Sequence, residues 1–276
     1  MNRRFVADLL TATLGIGILA VLAFPFFWVV VISLRPEADI FTREFRLFTT
    51  PTLENYRLLW QTSPFGLFLR NSLVICTLAT VLAVTIALVT AYGFSRWRRF
   101  AGRQVLLVLV ITTQLFPFVI LITPLYDTFF RLGLVNNPLS LLISYVAINL
   151  PFAIYMLLGY LDTIPRELDE AARIDGASTL QILFKVILPV AWPGVVTVAV
   201  YAFVTAWDEF LFALTLMSSN EYKTVPVGLA EFFGEYTTQW NLVMTASVVS
   251  TLPTLILFLF LQKKLVSDLA AGAVKE

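Results

Sequence analysis

The sequence predicts an all-α polytopic membrane protein with six transmembrane helices. Hydrophobic residues make up 59% of its 276 residues and charged residues only 13%, against about a half and about a quarter in soluble domains. The charges are clustered, and six long uncharged segments separate the clusters. The shortest segment has 22 residues, about 33 Å of helix at about 1.5 Å per residue, which is enough to cross a hydrocarbon core of about 30 Å.

The first uncharged segment follows Arg3 and Arg4, as the apolar part of a signal peptide would. Its 26 residues are too many for that, and no A-x-A cleavage site closes it, so we expect an uncleaved helix. A further segment, 210–220, is too short to span and is expected to extend the fifth helix or to lie at the interface. The six predicted spans are residues 9–34, 71–95, 104–126, 132–161, 186–207 and 236–262.

Lysine and arginine are distributed unequally between the two sides of the predicted bundle. The N-terminus, the second and fourth loops and the C-terminal tail hold 12 of them, and the first, third and fifth loops hold 7. Because positive charge is retained on the cytoplasmic side, both termini are expected to be cytoplasmic, in the plasma (inner) membrane of a prokaryote.

The composition argues against several classes of function. The sequence has no His, one Cys and a net charge of +1, so it lacks a Ser-His-Asp triad, a His or Cys metal site and the basic surface of a nucleic-acid binder. No charged residue lies inside the six segments, which counts against an ion-coupled carrier and against an intramembrane hydrolase. We expect no catalytic residue, no metal and no nucleic-acid partner.

Uncharged polar residues within the spans offer a pathway for a polar, neutral solute. The alternative is that they hydrogen-bond between helices and only hold them together. Prolines are expected to interrupt the helices and free backbone carbonyls, at positions 117, 124, 151, 193 and 253. The candidate pathway residues are Gln114, Asn149, Ser247, Ser250 and Thr251.

The fourth loop, residues 162–189, has the pattern of two short helices joined by a glycine. Pro165 suits the first turn of a helix, and acidic residues follow it near the positive end of the helix dipole. Gly176 permits the left-handed conformation that ends a helix. Ser178 and Gln181 have the spacing of a capping box and start the second helix.

The first of these short helices is predicted to dock onto a partner. Apolar residues recur on it at helical spacing and several have small side chains, which allow close approach of another backbone. The alternative, a helix lying on the bilayer, is disfavoured because the segment is acidic and such helices prefer Lys and Arg. The apolar positions are Ile164, Leu168, Ala171 and Ala172.

The same loop resembles the EAA motif of ABC-importer permeases. The family pattern is E-A-A-x(3)-G-x(9)-I-x-L-P, and here it begins at Glu170-Ala171-Ala172 and continues through Gly176 to Leu188-Pro189, with Val186 replacing the first Ile. RPEADIF, PTLENYRLL, NSLV, TVPVGLAEF and AGAVK resemble the maltose-type carbohydrate permeases along the rest of the chain. The resemblance implies the type I ABC importer transmembrane fold.

The resemblance also implies how the loop acts. The EAA helix would sit in a cleft of a separate ATPase, where Glu170 makes polar contact, Ala171 and Ala172 pack closely, and Gly176 provides the turn. The chain has no G-x-x-x-x-G-K-[ST] motif, so ATP and Mg would be used by that ATPase and no cofactor would be bound here. The implied ATPase-coupling residues are Glu170, Ala171, Ala172, Asp175, Gly176, Leu188 and Pro189.

The implied complex contains a second, non-identical permease, two copies of the ATPase and an extracytoplasmic sugar-binding protein, all in contact with membrane lipid. Alternatives are an ABC permease for another solute, such as a glycerol phosphodiester, a secondary carrier or channel, and an enzyme. The predicted organisation is residues 1–68 as terminus, first helix and first loop, 69–262 as the transmembrane core, and 263–276 as a cytoplasmic tail.

Overall fold

The computed structural model describes residues 3–40, 50–97, 100–234 and 238–273. Its elements are helices, and the one strand-like pairing within these ranges is an isolated bridge between Phe233 and Thr238. Parts of the predicted first loop, of the predicted sixth span and of the predicted tail, at 41–49, 235–237 and 274–276, lie outside the described residues. The predicted all-α class is confirmed.

Five of the described helices are long and apolar enough to cross a membrane, and a bent pair of helices meets the same condition together. The shorter helices are α2, α7, α9 and α10. The helices are α1 (Arg3–Ser33), α2 (Glu54–Thr62), α3 (Phe65–Arg96), α4 (Arg103–Thr112), α5 (Phe118–Arg131), α6 (Pro138–Asp162), α7 (Glu167–Ile174), α8 (Thr179–Trp207), α9 (Leu211–Leu216), α10 (Val225–Ala230) and α11 (Trp240–Ala273).

The third predicted span is not one continuous helix. A short 3₁₀ turn, Thr113–Leu115, follows α4, and the chain bends by 96° before α5 begins at Phe118. Phe116 is extended, with φ −81° and ψ 125°, because a residue that precedes proline is disfavoured in the helical region. Pro117 then starts α5 as its N-cap.

The other four prolines lie within helices that continue past them, so among the five only Pro117 stands at a break between two helices. The C-terminal tail is helical as far as it is described, because α11 continues to Ala273. The helices that contain the four prolines are α5 for Pro124, α6 for Pro151, α8 for Pro193 and α11 for Pro253.

The helices form two compact units. The first comprises residues 1–66 and 229–252 and is organised by a buried polar network. Asn55 Nδ2 donates to the carbonyls of Ser33 and Arg35, at 2.9 and 2.7 Å, and Asn241 Nδ2 lies 3.4 Å from Asn55 Oδ1. The end of α1, the start of α2 and the start of α11 are therefore held together by amide hydrogen bonds.

The second unit comprises residues 67–228 and 253–276, and its core lies between α3, α6, α7 and α8. Helices α6 and α8 approach closely at Gly194. A Cβ atom added to this glycine would lie 2.5 Å from Cγ of Tyr160. Small residues permit such close approach in lipid, where the hydrophobic effect does not drive helices together.

Gly194→Ala is therefore expected to lower the free energy of unfolding by about 1–3 kcal/mol, the usual cost of overpacking a core. Denaturant unfolding of the purified protein in detergent measures this. Gly159→Ala is the matched control, because no atom lies within 4 Å of a Cβ atom added there. Equal stability of the Gly194 variant and the wild type would contradict the close contact.

Candidate functional site

The candidate site is the loop between α6 and α8, which contains the short helix α7. Arg166 is the N-cap of α7 and its carbonyl accepts hydrogen bonds from the amides of Asp169 and Glu170, at 2.9 and 3.1 Å. Pro165 therefore precedes the helix instead of lying in its first turn as predicted. Three acidic residues occupy that first turn, Glu167, Asp169 and Glu170, as predicted from the helix dipole.

One side of α7 faces the interior of the chain. Asp169 is 4% exposed and Ala172 is 9% exposed. Ala172 belongs to the same buried apolar cluster as Ile182 and Leu183 of α8 and as Ile164, which precedes the helix. The inner side of α7 is therefore packed against the chain's own helices.

The opposite side of α7 is exposed and combines acidic and apolar side chains. Glu170 and Ala171 are exposed, and Ile174 is 87% exposed. We call Glu170, Ala171 and Ile174 the outer face of α7. The prediction that these apolar residues share one face was wrong, because Ile164 and Ala172 are buried whereas Ala171 is exposed on the opposite side.

Gly176 ends α7 in the predicted way. Its φ of +82° is left-handed, its amide donates to the carbonyl of Arg173 at 3.0 Å, and the next amide, of Ala177, donates to the carbonyl of Ala172 at 3.0 Å. These are the two hydrogen bonds of a Schellman motif. The predicted glycine turn is confirmed.

The predicted capping box at Ser178 is also present. Ser178 N donates to Gln181 Oε1 at 2.8 Å, and Gln181 N lies 3.4 Å from Ser178 Oγ. The helix that starts there is not a separate short helix, however, because it passes through a π-helical segment, Ile182–Ile187, into the fifth span and ends at Trp207. Leu188 is half-buried and Pro189 is exposed in this continuous helix.

Asp169, which sequence reasoning had treated only as an N-terminal charge, makes the closest polar contacts of α7. Tyr92 Oη donates to its Oδ1 at 2.5 Å, and Arg96 Nε lies 3.0 Å from its Oδ2. The Arg96–Asp169 pair is a salt bridge without hydrogen-bond alignment. The position of Asp169 three residues before Ala172 places both on one side of the helix, which indicates that Asp169 faces inward but not which residues it contacts.

The candidate pathway residues of the second unit lie near one another. Gln114 Nε2 lies 3.4 Å from the carbonyl of Ile148, the neighbour of Asn149. Asn149 is 3% exposed; its Nδ2 donates to the carbonyl of Tyr145 at 2.9 Å, and its Oδ1 has no hydrogen-bond partner among the described residues. A mainly apolar cavity of about 400 Å³ lies between α5 and α6, and Thr113 and Ser144 line it.

The other candidate pathway residues lie on α11 in the first unit. The hydroxyls of Ser247, Ser250 and Thr251 each donate to the carbonyl four residues earlier, at 2.6–2.8 Å. Their donors are therefore used within the helix, and only hydroxyl lone pairs remain for a solute.

A second missed residue is Glu209, at the opposite end of α8 from the loop. Its carboxylate accepts hydrogen bonds from the amides of Phe212 and Ala213, at 2.8 and 3.1 Å, and from Tyr145 Oη at 3.1 Å. Burial raises the pKa of Glu209. Because these contacts start α9 as a new helix, residues 210–220 do not extend the fifth span, and that predicted alternative was wrong.

Comparison with known proteins gives a family match. The model of the family described as "Binding-protein-dependent transport system inner membrane component" matches residues 83–270. The sulfoquinovosyl glycerol transport system permease protein of Agrobacterium fabrum is 38% identical over 91% of this chain and 88% of its own. The trehalose/maltose transport system permease protein of Thermococcus litoralis is 39% identical over 91% of each chain.

Solved structures share the fold. A chain from the crystal structure of a bacterial ABC transporter involved in the import of the acidic polysaccharide alginate has a TM-score of 0.81 at 23% identity, over 95% of this chain and 98% of that one. A chain of the methionine ABC transporter, in an inward-facing crystal form, has a TM-score of 0.51 over 77% of this chain. The predicted fold of ABC importer permeases is confirmed.

Proposed function

The chain belongs to the family of inner membrane components of binding-protein-dependent transport systems, and we propose that the solute it helps to import is a carbohydrate. It is therefore a multi-pass inner-membrane permease and not an enzyme. Two of the relatives are named as permeases for sulfoquinovosyl glycerol and for trehalose and maltose, and each of them matches 91% of this chain. Glycosides are thus the solute class that the likeness favours.

ATP hydrolysis would occur in a separate ATPase that docks on the outer face of α7. The observation that carries this proposal is the exposure of Ile174, 87%, on a helix whose other side is buried. A large aliphatic side chain exposed beside Glu170 and Ala171 offers apolar area and a charge to a partner. ATP and Mg would be bound by that partner, and this chain would bind no cofactor.

The remaining subunits follow from the same proposal. A second, non-identical permease would complete the pathway, two ATPase copies would serve the two permeases, and an extracytoplasmic binding protein would deliver the sugar. The loop with α7 would then be cytoplasmic, and with six spans both termini would be cytoplasmic too, an orientation that the distribution of Lys and Arg supports.

Transport would proceed by alternation between two states of the permease pair, each favoured by a different set of bound partners. Gln114 and Asn149 are the proposed solute contacts of the second unit, because Asn149 Oδ1 is buried without a hydrogen-bond partner among the described residues and sugar hydroxyls are donors. Ser247, Ser250 and Thr251 would accept from sugar hydroxyls through their remaining lone pairs.

Ile174→Asp is expected to weaken the binding of the ATPase on the order of tenfold or more, because burial of such a side chain contributes about 1.5–3 kcal/mol. Glu170→Lys is expected to act in the same direction. Co-purification of the ATPase with the permease measures the effect, and Ile174→Leu, which keeps the apolar area, is the control. Full retention of the ATPase by both Ile174→Asp and Glu170→Lys would argue against docking at this face.

Gly176→Leu is expected to leave the protein inserted and to uncouple ATP hydrolysis from transport, because a left-handed residue with a side chain costs about 1–2 kcal/mol and displaces α7. Solute-stimulated ATPase activity of the reconstituted complex is the measurement. Gly133→Leu is the matched control, since Gly133 has φ +68° and ends α5 with the same two hydrogen bonds. Normal stimulation in the Gly176 variant would sink the proposal for the loop.

A panel of sugars tests the solute class. With the cognate binding protein present, ATPase activity in proteoliposomes is expected to rise with at least one mono- or oligosaccharide, since the solute shifts the permease between states. Glycerol phosphodiesters are expected to give no stimulation. Stimulation by these diesters alone would replace the carbohydrate by the other solute class.

A further inference from the structure

Two buried charges, one from the loop and one from α3, meet where α7 touches the end of α3. The side chains of Asp169 and Arg96 are each 6% exposed, and their atoms approach to 3.0 Å. Tyr92, one turn before Arg96, donates to the other oxygen of Asp169 at 2.5 Å. Both carboxylate oxygens of Asp169 thus lie against α3.

A contribution to the stability of the fold does not explain why Arg96 and Asp169 form a buried ion pair here. Removing two charges from water is costly, and exchanging a buried ion pair for apolar residues of similar volume is often neutral or stabilising. The neighbouring side chain Ala172 and the apolar cluster around it already attach α7 to α8. The reason for an ion pair at this position must therefore lie in which helices it connects.

Arg96 and its neighbour Ser95 also bind the end of α6. Arg96 Nη1 donates to the carbonyl of Leu161 at 3.2 Å, and Ser95 Oγ donates to Asp162 Oδ1 at 2.6 Å. The carbonyl of Ser95 accepts from Nη2 of Arg166, the N-cap of α7, at 2.8 Å. The last turn of α3 therefore connects the end of the fourth span with two positions in α7.

The two attachments of α7 differ in kind. Contacts between apolar side chains such as Ala172 and Leu183 are non-directional, so the surfaces can slide with little loss. The hydrogen bond from Tyr92 to the carboxylate of Asp169 has a defined direction and distance. The buried ion pair at the other oxygen is costly to separate, because separation would leave two unpaired charges out of water. If α7 is displaced, Asp169 would therefore move the end of α3 with it.

We propose that Asp169 is a positioning residue which, through Arg96 and Tyr92, transmits the displacement of α7 to the second and fourth spans. This inference rests on the proposed function, in which an ATPase moves α7 from its outer face. Asp169 itself does not contact the ATPase, because it lies on the buried side. Its loss should therefore leave the ATPase bound while the motion of α7 no longer reaches α3.

The experiment uses the complete transporter, purified and reconstituted with its partner permease, ATPase and binding protein. Asp169→Asn removes the charge, and Tyr92→Phe removes one hydrogen bond while keeping the ring. The double variant Arg96→Met/Asp169→Leu removes both charges, so no unpaired charge stays buried. The readouts are solute transported per ATP hydrolysed and the amount of ATPase that co-purifies.

Asp169→Asn and the double variant are expected to transport on the order of tenfold less solute per ATP, the upper range of reported coupling effects, with ATPase binding unchanged. Tyr92→Phe is expected to show a smaller loss, about two- to threefold, and it keeps the test decisive should Asp169→Asn fail to accumulate. The inference would be overturned if any of the three variants, Asp169→Asn, Tyr92→Phe or the double variant, transported as much solute per ATP hydrolysed as the wild type.

Asp127→Asn is the matched control, since it breaks an exposed ion pair with Arg131, whose atoms are 2.9 Å apart, in the same unit. It is expected to leave the ratio unchanged; an equal loss there would overturn a specific role for Asp169. Ile174→Asp separates the two hypotheses. Suppose that Ile174→Asp loses ATPase binding while Asp169→Asn transports a normal amount of solute per ATP. Asp169 would then be rejected as a positioning residue, and the proposed docking face would stand.

Discussion

Burial of Asp169 against Tyr92 and Arg96 determines which side of α7 is available to a partner. A helix turns by about 100° per residue, so fixing Asp169 and Ala172 inward leaves Glu170, Ala171 and Ile174 outward. The Schellman motif at Gly176 then reverses the chain and leads it back to α8. Rotation of α7 by one residue would bury Glu170 and expose Asp169, so the outer face depends on the inward contacts of both Asp169 and Ala172.

The membrane sets the second constraint, visible at the break between α4 and α5. Backbone groups freed by Pro117 cannot be left facing lipid, because an unsatisfied carbonyl or amide there costs several kcal/mol. The carbonyl of Thr113, four residues before Pro117, accepts instead from the amide of Phe116 at 3.3 Å, and the hydroxyl of Thr113 donates to the carbonyl of Val110 in the last turn of α4 at 2.6 Å. The broken segment also adjoins the cavity lined by Thr113 and Phe116. A break of this kind is tolerated where protein or a cavity surrounds it.

Features governed by local backbone chemistry could be predicted from the sequence, and features governed by tertiary contact could not. The turn at Gly176 and the capping box at Ser178 each depend on residues within a few positions, and both are present. Whether a proline breaks a helix depends on its neighbours in space, so Pro117 could not be distinguished from Pro151. Tyr92, which donates to Asp169, and Tyr145, which donates to Glu209, each lie more than 60 residues away along the chain, and no local pattern indicates these two contacts.

The continuity of α8 offers a second way for a displacement of the loop to reach the membrane-spanning helices. Because the helix after the capping box runs unbroken through its π-helical segment into the fifth span, a displacement of Ser178 moves the whole of α8. Pro189 has no amide to donate, so the turn before it must distribute its hydrogen bonds differently, and π-helical segments recur at functional sites. The contact of Gly194 with Tyr160 then links α8 to α6, where an added Cβ would lie 2.5 Å from the ring. The polar route through α3 and the apolar route through α8 thus converge on α6, the helix that holds Asn149.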